Sequence, residues 1–139
     1  MSRFGWIVAF AVLAVAPAAA DNGIPDFRGV WKGDSESIVL GGGNDHHLPT
    51  QSKEPEMRTV QFTLTIDRQE GRRFSGIFSS SRTSEKVIAV YSRSGAILMA
   101  DSDGYTHGTM LGPDRIELCY LHVSTAAQVA SCTELTKQK

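Results

Sequence analysis

The sequence predicts an all-β protein: an eight-stranded antiparallel up-and-down (meander) β-barrel that follows an N-terminal signal peptide. Two observations predict the barrel. Apolar and polar residues alternate with a period of two along most of the chain. Glycine-containing turn pairs separate consecutive strand segments. Eight strands joined by tight turns suit a closed barrel, which leaves no open sheet edge. A two-sheet sandwich is the alternative, because the sequence alone does not show closure.

The first 20 residues have the order of a secretory signal. Arg3 is their only charge, and the apolar run 4–15 is shorter than the roughly 20 residues that span a bilayer. Pro17 and the small residues Ala18, Ala19 and Ala20 then provide a cleavage site. We therefore predict a signal peptide over 1–20 and a single barrel domain over 21–139. The product is expected to be periplasmic or secreted, with no membrane segment after cleavage.

The composition of the remaining 119 residues fits one domain. They hold 13 basic and 15 acidic side chains, so their net charge is −2. Nucleic acid and anionic membranes both require a basic face, so neither is an expected partner.

The strand segments follow one another at short intervals. The first alternates around Phe27, Gly29, Trp31 and Gly33, and the second around Val60, Phe62, Leu64 and Ile66. The others are 74–78, 87–91, 96–100, 105–111, 115–122 and 128–135. The turn signals between them are Glu70-Gly71, Ser94-Gly95, Asp103-Gly104 and Gly112-Pro113-Asp114.

One connection, residues 41–57, is too long for a tight turn. It opens with three glycines and contains His46 and His47. Long connections in compact domains are often functional, and others are simply mobile. Both interpretations stay open for this loop.

The two cysteines predict a disulfide. A hairpin centred between Thr125 and Ala126 places Cys119 opposite Cys132, with both side chains on one face of the hairpin. That face also carries Glu117 and Glu134, so we expect it to point outward. In an oxidising compartment the pair is expected to staple the last hairpin.

The inward positions divide by height in the barrel. We call "top" the end where the first strand finishes. Apolar residues are predicted at the bottom: Phe27, Trp31, Ile66, Phe74, Ile97, Leu111, Ile116 and Leu135. Polar residues are predicted at the top: Ser35, Ser37, Ser80, Tyr105, His107, Tyr120, His122 and Ser131. An apolar floor under a polar mouth indicates a cup for a ligand. Hydration of the barrel end is the alternative explanation.

The same residues argue against metal and catalytic sites. All four histidines (His46, His47, His107 and His122) fall at the top, but without the tight spacing of metal ligands. No inward acid is predicted beside the serines and histidines, and no nucleophile elbow or phosphate loop occurs. We therefore predict no metal, no cofactor and no enzyme activity.

Gly29-Val30-Trp31, in the first strand, resembles the Gly-x-Trp signature of the lipocalins. The segments 62–66 and 73–78 are similar in rhythm to strands of the avidin-type proteins. This resemblance implies a calycin-like barrel with a ligand site at its open end, Trp31 on its floor and a structural role for Gly29. Avidin-type pockets surround biotin with several tryptophans, whereas Trp31 is the single tryptophan after residue 20. The resemblance therefore extends to the architecture and not to the ligand.

These observations predict an exported barrel that binds a small, partly polar ligand at its open end. The expected contacts are Ser37, Tyr105, His107, Tyr120, His122 and Ser131. The alternative is a protein-binding module, such as an inhibitor of an exported enzyme, that uses its loops or residues 21–26. An open mouth favours the ligand-binding hypothesis, and a packed barrel beneath an ordered loop favours the second.

Overall fold

A computed structural model describes residues 23–139, so the predicted signal peptide lies outside the described part of the chain. Within this part, no helix is long and apolar enough to cross a membrane. The strands are β1 (Gly29–Gly41), β2 (Glu56–Glu70), β3 (Arg73–Ser79), β4 (Ser84–Tyr91), β5 (Ala96–Ala100), β6 (Tyr105–Gly112), β7 (Arg115–Val123) and β8 (Ala127–Lys137).

The eight strands form a closed barrel in which each pairs antiparallel with the next along the chain. The barrel closes because β1 pairs with β8 as well as with β2. Trp31 lies opposite Leu64 of β2, and Ser37 lies opposite Ser131 of β8. The predicted meander barrel is confirmed, and the alternative sandwich is excluded by this closure.

Apolar side chains fill the bottom of the barrel, as the sequence predicted. Trp31 is fully buried, and its indole Nε1 donates a hydrogen bond to the carbonyl oxygen of Phe27 at 2.8 Å. The ring of Phe27 stacks on Phe74 with centroids 4.5 Å apart. Leu64, Ile97, Ile116 and Leu135 complete this core. A tightly packed floor therefore supports the polar end above it.

Close contact between β1 and β8 depends on Gly33. A Cβ atom at this position would overlap the backbone carbonyl oxygen of Glu134, which a side chain cannot avoid by changing rotamer. We expect Gly33→Ala to lower the free energy of unfolding by about 1–3 kcal/mol, as overpacking does elsewhere. Urea denaturation followed by circular dichroism measures the change. Gly112→Ala is the matched control: its Cβ would meet no atom within 4 Å, so a similar loss in both variants would contradict the explanation.

The last hairpin has the predicted register. Cys119 lies opposite Cys132, Tyr120 opposite Ser131, and His122 opposite Val129. The cysteines form a disulfide with their Cα atoms 4.1 Å apart. The prediction of this bridge from hairpin geometry is confirmed.

The predicted inward face of β6 is wrong. Tyr105 is 64% exposed, Leu111 is 44% exposed and His107 also points outward, whereas Thr106 and Gly108 are buried. Directly opposed residues of an antiparallel pair share a face of the sheet. Thr106 lies opposite the inward Tyr120, so its neighbours on β6 must face solvent.

Candidate functional site

The connection between β1 and β2 folds across the top of the barrel. We call residues 42–55 the cap loop. The amide oxygen of Asn44 accepts hydrogen bonds from the backbone N–H groups of His46 (3.1 Å) and His47 (2.8 Å). Gly43 has a φ of 69°, and a Cβ there would overlap the carbonyl oxygen of His47. A glycine and an asparagine thus fold the chain into a tight turn that directs both histidines into the barrel.

The imidazole of His46 is inserted between two phenylalanines and a carboxylate. Its Nε2 donates to the Glu85 carboxylate at 2.9 Å, and its Nδ1 lies 2.8 Å from the hydroxyl of Ser80. The ring meets Phe62 and Phe78 edge-on, with centroids 5.2 and 5.8 Å away. The residue is only 5% exposed. Both polar atoms of this buried ring are therefore satisfied by the barrel wall.

His47 fills the neighbouring position above the serines. Its Nδ1 lies 3.0 Å from the amide oxygen of Asn44, and this contact requires a proton on Nδ1 because the oxygen only accepts. Its Nε2 lies 3.0 Å from the hydroxyl oxygen of Ser37. Ser37 in turn lies 2.7 Å from Ser131 and 3.0 Å from Ser35. The cap loop is thus joined to β1 and β8 by a buried polar network.

Burial lowers the pKa of His47 to about 4, with the nearby charges of His46, Arg58 and Arg82 acting in the same direction. The unfolded chain, with an ordinary histidine pKa near 6.5, binds the proton more readily than the folded chain. The contribution of neutral His47 to the free energy of unfolding should therefore be fully present above about pH 6.5. It should be lost as the pH falls towards 4, which lowers the free energy of unfolding by an amount on the order of 2–3 kcal/mol. Urea denaturation at several pH values, compared with His47→Gln, isolates this contribution. Equal losses in both proteins would contradict it.

Asn44, His47 and Ser37 lie in the order of an orienting group, a base and a hydroxyl nucleophile. Ser37 is buried beneath His47, however, and its hydroxyl is also in contact with two further serines. In this arrangement the series holds the cap loop closed and does not present a nucleophile to a substrate. We assign it a structural role.

Three acidic side chains cluster on one side of the mouth. The carboxylates of Glu85, Asp101 and Asp103 each offer an oxygen atom within 4.8 Å of the others. Tyr120 donates its hydroxyl hydrogen to Asp103 at 2.9 Å, and burial raises the pKa of this phenol. His122 lies beside the same residue, with Nδ1 3.1 Å from the carbonyl oxygen of Asp103. This side of the mouth therefore combines negative charge with hydroxyl groups.

A small cavity of about 20 Å³ remains between the cap loop and the floor. This volume holds about one water molecule. Its walls combine aromatic, hydroxyl, imidazole and carboxylate groups, from Asn44, His46, His47, Phe62, Phe78, Glu85, Met99, Asp101, Thr106, Leu118, Tyr120, Ser131 and Thr133. The mouth is thus polar and convergent, but the cap loop occupies most of it.

The structure brings together four of the six predicted contact residues. Ser37, Tyr120, His122 and Ser131 all lie at the top, on inward positions of β1, β7 and β8. Tyr105 and His107 are on the outer surface, because the face of β6 is reversed. They do not contribute to the mouth.

Sequence reasoning missed the most polar parts of the site. Glu85 and Asp101 lie just outside the predicted strand segments, yet both line the cavity. His46 and His47 lie on the loop whose role the sequence leaves open, and nothing in the local sequence indicates their burial. The partners of His46, Ser80 and Glu85, are 34 and 39 residues away. A contact of that kind has no local signal.

Comparisons with known proteins identify no family. No protein family model matches the chain, and no curated protein matches it. One solved structure with a similar fold is the S-type phycobiliprotein lyase CPES from Guillardia theta. It superimposes with a TM-score of 0.48 at 10% sequence identity, over 81% of this chain and 89% of that one. We infer nothing about the ligand from this likeness. The closed eight-stranded antiparallel barrel is the architecture that the Gly-x-Trp resemblance implied.

Proposed function

We propose that this protein is an exported binding protein that takes a small, partly polar ligand into the top of its barrel beneath the cap loop. One observation carries the proposal: the mouth is closed by two buried histidines held through side-chain hydrogen bonds to the wall. The disulfide and the predicted signal peptide support export.

The chemistry of the closure supports a removable cap. A barrel that needed only a core would fill its upper end with aliphatic side chains, since buried polar groups contribute less to stability than apolar packing. Here the groups that receive the cap loop are hydroxyls and a carboxylate, which hydrogen-bond equally well to a ligand. The remaining space holds about one water molecule. A larger ligand must therefore take the place of the cap histidines.

Ligand screening on the exported protein, followed by amide NMR, tests the proposal. Bound molecules should shift the signals of Asn44, His47 and Ser131 and leave that of His107 unchanged. Ser131→Val should weaken binding by about tenfold or more, because a hydroxyl is lost from the pocket wall. His107→Ala, an outward residue at the same height, is the matched control. Shifts confined to the outer surface, or no binding from a broad screen of small polar molecules, would overturn it.

The second candidate function, a protein-binding module, is favoured by a different observation. The cap loop packs into the barrel mouth and the interior is nearly full, while an apolar patch lies on the outer face of β4 and β5. Ile88, Val90 and Leu98 are exposed there, beside a groove of about 560 Å³ that Arg68 and Arg73 also line. Exposed apolar patches mark interaction sites. A stoichiometric protein recovered with the wild type, and lost with Ile88→Ser, would support this candidate.

A further inference from the structure

We propose that the ligand is a compact organic cation with an N–H donor, either a planar nitrogen heterocycle or an amine, and that it binds where the His46 ring now lies. This inference rests on the proposed function and names its ligand class. The geometry around the ring carries it, because the protein's own imidazole already occupies a site with the shape and polarity for such a molecule.

The site of the His46 ring, which we call the imidazole site, has two chemically different walls. Glu85 Oε1 accepts from Nε2 at 2.9 Å, and Ser80 lies at the other ring nitrogen. Phe62 and Phe78 form the apolar wall, stacked with centroids 4.6 Å apart. A carboxylate facing aromatic rings is a combination that binds organic cations, through a charge-assisted hydrogen bond and cation–π attraction.

The charges at the mouth favour a cation further. Asp101 and Asp103 place their carboxylates near that of Glu85, and an anionic ligand would meet all three. Of the cap histidines, His47 is neutral near pH 7 because its pKa is about 4. Arg82 is exposed and donates to the backbone oxygen of Asp45, a residue of the cap loop itself. The mouth is therefore electrostatically suited to positive charge.

Opening of the cap strengthens the selectivity. When the loop lifts, His46 leaves with it, and Glu85 keeps Ser102 as its hydroxyl partner at 3.1 Å. The side chain of Glu85 is 14% exposed while the ring of His46 covers it, so a molecule that takes the place of the ring and covers the carboxylate again must supply a cationic or donor partner. A ligand that returns an N–H donor to Glu85 meets this requirement, whereas a neutral acceptor or an anion does not. Opening and cation binding are thus thermodynamically coupled.

The test uses 4-methylimidazole and butylamine as cationic probes, p-cresol as a neutral probe and benzoate as an anionic probe. In the wild type, the cationic probes should shift the signals of Phe62 and Glu85 and accelerate hydrogen exchange of the His46 and His47 amides. Both amides donate to Asn44 in the closed state. His46→Ala should bind 4-methylimidazole about tenfold more tightly than the wild type, since the probe no longer competes with the side chain.

Glu85→Gln, which keeps the side-chain shape and removes the charge, should weaken binding of the cationic probes about tenfold and that of p-cresol less, because a neutral hydroxyl can still donate to the amide oxygen. Circular dichroism checks that each variant is folded. If either variant is unfolded, the binding of the four probes to the wild type alone tests the ligand class. Binding of p-cresol or benzoate at the mouth without the cations would overturn the ligand class and leave the proposed function intact. If His46→Ala binds 4-methylimidazole and the wild type does not, the substitution has only created an artificial cavity, and the inference is overturned. No mouth signal shifted by any probe would count against both.

Discussion

Replacing Trp31 with alanine should lower the free energy of unfolding by about 3–5 kcal/mol, the range seen for deletion of a large buried aromatic ring. Trp31 is fully buried in the barrel floor beside Leu64 and Leu135, so the substitution leaves a cavity that the closed sheet cannot collapse to fill. It also removes the donor that satisfies the carbonyl oxygen of Phe27. Urea denaturation followed by circular dichroism measures the loss, since the substitution removes the indole fluorescence.

Trp31→Phe separates the two causes. It keeps most of the apolar volume and loses the N–H donor, so its cost should be about 1–3 kcal/mol and smaller than that of alanine. If the free energy of unfolding of Trp31→Ala lies within about 1 kcal/mol of the wild-type value, Trp31 does not organise the floor of the barrel.

Removing the disulfide should have the next largest effect. The double variant Cys119→Ser/Cys132→Ser is expected to lose about 3 kcal/mol, because the bridge closes a loop with a sequence separation of 13 and so restricts the unfolded chain. The urea dependence of the unfolding free energy should also steepen, since an unbridged unfolded chain exposes more surface. Denaturation of both proteins under non-reducing conditions measures both quantities.

Leu121→Ser/Ala130→Ser is the matched control for this variant. These residues are opposed on the same two strands and both are exposed, so the control introduces the same two side chains with a loss below about 1 kcal/mol. A loss of that size in the cysteine variant as well would mean that the bridge contributes little.

The sequence predicts correctly those strands in which apolar and polar residues alternate clearly. β1, β2 and the β7–β8 hairpin follow directly from alternation, and the opposed cysteines identified the register of the hairpin. The prediction of the inward face of β6 is wrong because both faces of this strand contain polar residues, so alternation alone does not show which face points into the barrel. The orientation of β6 is determined by Leu118 and Tyr120 on the neighbouring strand β7, because their side chains occupy the space beside Gly108 and Gly104.

The candidate site is predictable only in part, because local sequence pattern gives the strand positions but not the contacts between distant segments. Ser37, Tyr120, His122 and Ser131 face the mouth because strand pairing places them there. The asparagine turn and Ser37 hold His47 through contacts only 3 and 10 residues apart in the sequence. Glu85 and His46, by contrast, meet through a contact between residues 39 apart. Such contacts depend on the closed barrel, which exists only after all its strands have assembled.

The pairing of β1 with β8 also has a kinetic consequence. The hydroxyls of Ser37 and Ser131 touch although 94 residues separate them, and contacts of such high sequence separation slow folding. A chain that emerges N-terminus first must keep β1 unpaired on one side until β8 has emerged. During that interval the barrel is an open sheet with two free edges, the state most exposed to aggregation. The C-terminal strand therefore completes folding, and the speed at which its hairpin forms determines how long that vulnerable state persists.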